Sequence, residues 1–191
     1  MDSGKRNLLI GIAIVVVVAI AIVAYIAGKR NTFYQMRIDT QSAWAQVENQ
    51  LQRRYDLIPN LVETVKGYAK QEREVLLDVT NARSRVGGAG TVPDKIAANN
   101  ELTGALSRML LVVERYPDLK SNQNFLKLQD ELAGTENRIA VERMRYNERV
   151  AAYNKAIGLF PGNLIAQRFA FEEAAFFEVP KDVQATPQVK F

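Results

Sequence analysis

The stretch FLKLQDELAGTENRIAVERMRYNERVAAYNKAI, Phe125 to Ile157, carries an apolar or aromatic residue at every seventh position: Phe125, Leu132, Ile139, Tyr146 and Tyr153. Leu128, Val150 and Ile157 widen the stripe. A seven-residue repeat puts its members on one face of an α-helix, and a stripe this wide packs against other helices. The residues between them carry mixed charge. Arg138 lies four before Glu142, and Glu142, Arg145 and Glu148 follow at intervals of three, the spacing at which side chains pair along a solvated face. Tyr146 and Tyr153 belong to the stripe, so they are read as packing residues.

Working outward towards the N-terminus, Trp44, Leu51, Ile58 and Val65 repeat in the same way, with Val47, Leu61, Tyr68 and Val75 on the same face. The pattern predicts one long helix reaching about Ala82, with Pro59 inside it. A proline in a helix interior costs about 3 kcal/mol, because it removes a backbone hydrogen bond and clashes with the preceding turn. Two structures accommodate it. Either Pro59 kinks a continuous helix, with Asp56 or water meeting the freed carbonyl, or the helix stops before Ile58 and restarts with Pro59 in its first turn. Glu72 falls on the strict stripe; a phase shift after Pro59 would leave it solvated, as expected of a carboxylate.

VGGAGTVP, Val86 to Pro93, ends that helix, and Thr91 with Pro93 and Asp94 signals the next start. Leu102, Met109 and Tyr116, flanked by Leu106 and Val113, mark a further helix that YPDLKS breaks. Ser121 or Asn122 is placed to cap the long helix and Gly158 to end it, and FPGN reads as a turn. LIAQRFAFEEAAFFEV, Leu164 to Val179, is expected to form a shorter helix. PKDVQATPQVKF, residues 180–191, reads as extended or disordered. Short linkers between long amphipathic helices favour antiparallel neighbours. The fold class is therefore all-α: an N-terminal transmembrane helix followed by an antiparallel bundle of about four long helices.

The transmembrane assignment rests on LLIGIAIVVVVAIAIVAYIA, Leu8 to Ala27, which contains no charge. About 20 apolar residues span a bilayer core. The run exceeds the apolar core of a cleaved signal peptide and lacks a clean cleavage site behind it. It is read as an uncleaved signal anchor over residues 8–28, contacting the lipid bilayer, after a short tail of residues 1–7. Lys5 and Arg6 precede it, and Lys29, Arg30 and Arg37 follow it, so the positive-inside rule comes close to a tie. The reading leans to a cytoplasmic N-terminus, with the bulk of the chain outside the cytoplasm.

The chain has no cysteine and no histidine. That excludes disulfides, thiolate catalysis, histidine bases and Glu-x-x-His di-iron sites. The net charge of +4 is spread among acidic residues rather than gathered on one face, against nucleic-acid binding. VGGAG matches no phosphate loop, and neither a serine elbow nor a clustered ligand set stands out. No cofactor, metal or catalytic residue is expected, and the chain is not expected to be an enzyme.

Three longer stretches resemble the LemA family of bacterial membrane proteins: AWAQVENQLQRRYDLIPNLVETVKGYAKQE (Ala43 to Glu72), VVERYPDLKSNQNFLKLQDELAGTENRIAVERMRYNERVAAYN (Val112 to Asn154) and FPGNLIA (Phe160 to Ala166). The likeness covers about Phe33 to Phe191. It includes Arg53, Arg54, Asp56, Leu57, Pro59, Asn60 and Leu61, then Tyr116-Pro117, Tyr153-Asn154, and Phe160-Pro161 with Asn163. Ala170 departs from it, where a glycine is expected before Phe171. The resemblance implies a bundle of long helices over residues 29–179 and a bacterial cell membrane. It implies no reaction.

The candidate sites are then surfaces. Arg53, Arg54, Asp56 and Asn60 beside Pro59 form a candidate polar recognition patch. Phe169, Phe171, Phe176 and Phe177, mixed with Glu172 and Glu173, are candidate docking aromatics; the lack of lysines favours protein over a membrane surface. The expected function is a membrane-anchored scaffold or adaptor that self-associates or binds another membrane protein. The alternative is a tethered sensor that relays ligand binding to a partner.

Overall fold

The computed structural model describes residues 3–178; the expected tail at 180–191 lies outside them. Among the described residues there are six helices and no strand: α1 (Ser3–Tyr68), α2 (Arg73–Gly88), α3 (Val92–Val113), α4 (Pro117–Lys120), α5 (Gln123–Gly158) and α6 (Gly162–Arg168). The starts follow local chemistry. Thr91 caps α3 in a capping box with Asp94, and the Asn122 side chain accepts from the Phe125 amide in the first turn of α5.

Two expected boundaries are corrected. The helix through Pro59 does not reach Ala82; it ends at Tyr68, and α2 begins only at Arg73. The Glu72 amide turns to Ala69 O at 3.1 Å, and the Glu72 carboxylate accepts from Arg115 (2.9 Å) and the Tyr116 hydroxyl (3.1 Å). Glu72 is thus half-buried and paired rather than free in solvent. The second correction is at the C-terminal end. The helix expected over 164–179 stops at Arg168, and residues 171–178 lie outside any helix. Ala170 has φ 53°; Phe171 N bonds Ala166 O (3.0 Å) and Ala170 N bonds Gln167 O (3.4 Å), a Schellman ending.

The chain divides into two compact units. The first holds the described residues up to Gln41 together with Arg149–Ala174. Its core is Phe33, Tyr153, Ile157, Ile165 and Ala166, with Phe171 meeting Phe33 edge-on at 5.7 Å. Gly162 has no room for a side chain, since a Cβ there would lie 2.5 Å from Ala156 O and 3.1 Å from Phe33 Cζ. The apolar part of α1 belongs to this unit and is uncovered: its large aliphatic residues between Leu9 and Val23 are 49–68 % exposed. By length and composition this stretch is a candidate single membrane span.

The second unit holds Ser42–Glu148 and the described residues from Ala175. Its register can be read from pairs. Trp44 meets Tyr146, Arg54 meets Glu136, and Tyr68 meets Asn122, so α1 and α5 run antiparallel. Arg85 pairs with Glu101 and Asp78 with Arg108, so α2 and α3 also run antiparallel. Ile58, Leu61 and Val65 of α1, Val79 of α2, Leu102 and Met109 of α3, Leu119 of α4 and Phe125 of α5 share one core. Of the stripe residues read from the sequence, Leu106, Val113 and Leu132 lie in this core as well, whereas Tyr68 is 46 % exposed.

Candidate functional site

The four polar residues around Pro59 separate in the structure. Arg53, Asp56 and Asn60 are exposed on α1, whereas Arg54 is 2 % exposed. Val47, Arg54 and Leu61 are seven apart, so Arg54 occupies a buried position of the stripe. Its Nη1 lies 3.1 Å from Glu136 Oε2, and its Nη2 donates to Thr103 Oγ1 at 2.7 Å. Thr103 in turn donates to Asn99 O. One guanidinium thereby ties α1, α3 and α5 together. Burial lowers its pKa and Glu136 pulls it back up. The three residues share a groove of about 240 Å³ with Leu106, Leu110, Leu132 and Ala133. A second groove, of about 430 Å³, collects Lys66, Lys70 and Arg73 over Val62, Leu76 and Leu77.

Helix α1 continues through Pro59. A proline frees the carbonyl four residues earlier, here Tyr55. Asp56 does not meet that carbonyl; its carboxylate accepts from Gln52 Nε2 at 2.8 Å. The donor is Arg83 of α2, whose Nε lies 3.2 Å from Tyr55 O and whose guanidinium stacks 3.8 Å over the Tyr55 ring. Sequence reading missed Arg83, although the freed carbonyl was a signal that some donor must come from elsewhere.

The four candidate aromatics divide. Phe171 is half-buried on Phe33 in the first unit, and Phe177, 5 % exposed, lies in the second against Trp44 (6.3 Å between centroids) and under the Arg143 guanidinium (5.6 Å). Phe169 and Phe176 face outward at 39 % and 42 % exposure, Phe169 beside Arg30 and Arg168.

A device not foreseen from sequence holds the extended segment. In the second unit, Tyr146 donates to Ala175 O (2.7 Å); Asn147 accepts from Phe177 N (2.8 Å) and donates to Phe177 O (3.0 Å). Asn100 donates to Glu178 O at 3.2 Å. The first unit repeats the scheme: Tyr153 donates to Glu172 O (2.9 Å), and Asn154 bonds both backbone groups of Ala174 at 2.9 Å. Each asparagine amide thus presents one donor and one acceptor, as a neighbouring strand would. The only advance signal was the dipeptide Tyr-Asn recurring seven residues apart. Burial raises the pKa of both tyrosines; for Tyr153, Arg37 opposes the shift and Glu172 adds to it.

These arrangements grip backbone and pack side chains, and comparisons with known proteins agree with the sequence resemblance. Magnetosome protein MamQ 2 of Paramagnetospirillum magneticum is 29 % identical over 195 residues, covering 87 % of this chain and 72 % of that protein. Magnetosome protein MamQ of Magnetospirillum gryphiswaldense is 26 % identical over 203 residues, covering 93 % and 74 %. Protein LemA of Metamycoplasma hominis is 25 % identical over 155 residues, covering 79 % and 69 %. The pattern of the LemA family matches residues 43–191, and the chain belongs to that family.

Proposed function

We propose that the chain is a membrane-anchored helical scaffold or adaptor that self-associates or holds another membrane protein and carries out no reaction of its own. One observation carries the reading: α1 presents an exposed apolar stretch of membrane-spanning length in a chain whose described residues form six helices and no strand. The absence of cysteine and histidine from the sequence supports it. So do the names of the relatives, which specify a family and a magnetosome rather than a reaction. Tethering in the membrane plane raises the effective concentration of partners, which suits weak contacts between surfaces. The charges flanking the span nearly balance, Lys5 and Arg6 before it against Lys29, Arg30 and Arg37 after it; the reading keeps a lean to a cytoplasmic N-terminus with the bulk of the chain outside, and protease accessibility in sealed cells tests that side.

The test is cross-linking in the native membrane, followed by mass spectrometry of the products. A self-linked ladder or a stoichiometric foreign membrane protein is the expected result. A chain that stays monomeric and links to nothing contradicts the proposal.

A further inference from the structure

We propose that the first unit touches the bilayer a second time: Leu159, Phe160, Leu164 and Phe169, flanked by Arg30 and Arg168, form a surface that enters the headgroup–acyl boundary of the membrane that α1 crosses. This goes beyond the scaffold reading and rests only on its assignment of α1 as a membrane span.

Phe160 is 80 % exposed, and Leu159 and Leu164 are each more than half exposed. Their neighbours are not. Ile157, Ile165 and Ala166 enter the core of the unit with Phe33, so α5 and α6 bury one side here and leave the other bare. Single exposed apolar side chains are ordinary; four of them on one turn and one short helix mark a surface that meets a partner.

The placement identifies that partner. Helix α1 runs without interruption from its apolar stretch into this unit, and Ile26, in the last turn of that stretch, packs against the same core. The core therefore begins where the span ends. The Arg30 guanidinium lies 5.3 Å from the Phe169 ring centroid, and Gly162, just after the turn that carries Phe160, lies against the Phe33 ring. Arg30 and Phe33 follow Ala27 by three and six residues, about 5 and 9 Å along a helix. The headgroup layer is about 5–8 Å deep on each side of the hydrocarbon. The turn and α6 are held at that level. Their chemistry suits it: the aliphatic and aromatic side chains reach the acyl boundary, while Arg30 and Arg168, both over the Phe169 ring, meet lipid phosphates.

The chain lacks cysteine, so one introduced thiol reports one place. Full-length chains carrying Phe160→Cys or Leu164→Cys are labelled with the fluorophore NBD. They are reconstituted in phosphatidylcholine vesicles with and without 5-doxyl phosphatidylcholine, which quenches at the headgroup–acyl boundary. Ala27→Cys, at the end of the span, and Gln41→Cys, about 21 Å further along α1, are the references. The expected quenching at positions 160 and 164 is within about two-fold of that at 27 and about five-fold above that at 41. Quenching at 160 and 164 as weak as at 41, with 27 strongly quenched, overturns the surface contact and leaves the span standing. Blue-shifted emission at 160 without quenching also overturns it, since protein rather than lipid then covers the surface. Quenching at none of the four positions overturns the span reading and the proposal with it.

Discussion

At Pro59 helix α1 lacks a backbone donor and continues; at Ala69–Glu72 every residue has a donor and the helix stops. The difference lies in what the surroundings offer. Tyr55 O, left free by Pro59, receives Arg83 from α2, so the missing bond costs little. Further along, Glu72 reaches a better arrangement outside a continuous helix, where its carboxylate meets Arg115 and Tyr116 from the turn between α3 and α4. A helix interruption is therefore decided by where each polar group finds its partner, and intrinsic preference enters only as one contribution.

Removing the partners should break the comparison, and Arg83→Met should do so most strongly. It removes the donor to Tyr55 O and the stack on its ring, for about 1–2 kcal/mol in urea unfolding of the full chain in detergent. Glu72→Ala deletes the acceptor shared by the Tyr116 hydroxyl and the exposed Arg115 and should lower the midpoint by less in the same assay, because water can replace both contacts. With Pro59→Ala already present, the new amide at 59 can bond Tyr55 O, so Arg83→Met should cost about 1 kcal/mol less. An additive pair would show that the carbonyl was never the shared element.

Ala170→Gly sharpens the comparison with a third interruption. The left-handed turn there costs alanine about 1–2 kcal/mol, and glycine gives part of that back as unfolded-state entropy, so a net gain of about 0.5–1 kcal/mol in the unfolding midpoint is expected. Pro59→Ala alone should raise thermal stability by under about 1 kcal/mol, well short of the full cost of a helical proline, because Arg83 already serves the carbonyl. The smallest effect concerns pH. Tyr146 and Tyr153 have raised pKa values, so the folded state holds their protons more tightly than the unfolded chain. Their contribution is complete below about pH 10, the ordinary tyrosine value, and is lost as pH rises through the raised values. Trp44 is the only tryptophan and lies against Tyr146 and Phe177, so its fluorescence should report release of the segment above about pH 10 and little change below it.

Much of the fold could be read in advance because it follows from short-range periodicity. Phe125, Leu132, Ile139, Tyr146 and Tyr153 are all buried, as are Trp44, Leu51, Ile58 and Val65. The capping box at Thr91 needed only neighbours three residues apart. Long-range polar pairing was not readable. Glu72 with Tyr116, Arg83 with Tyr55 O, and Asn147 with Phe177 join residues whose nearness depends on the finished packing. Arg54 is intermediate: its place on the seven-residue stripe marked it as inward, while Thr103 and Glu136 as its partners did not follow. Ala170 was visible only as a departure from the family's expected glycine, and its positive φ explains why glycine is expected there. Among the candidate aromatics, spacing alone could not separate Phe176, which faces out, from Phe177, which faces in, because the pair lies outside any helix.

The decisive measurement is the mass of the particle released from the native membrane in lipid nanodiscs, by native mass spectrometry. A scaffold or adaptor predicts two or more copies of the chain, or the chain with a stoichiometric second membrane protein. A single chain accompanied only by lipid would contradict it.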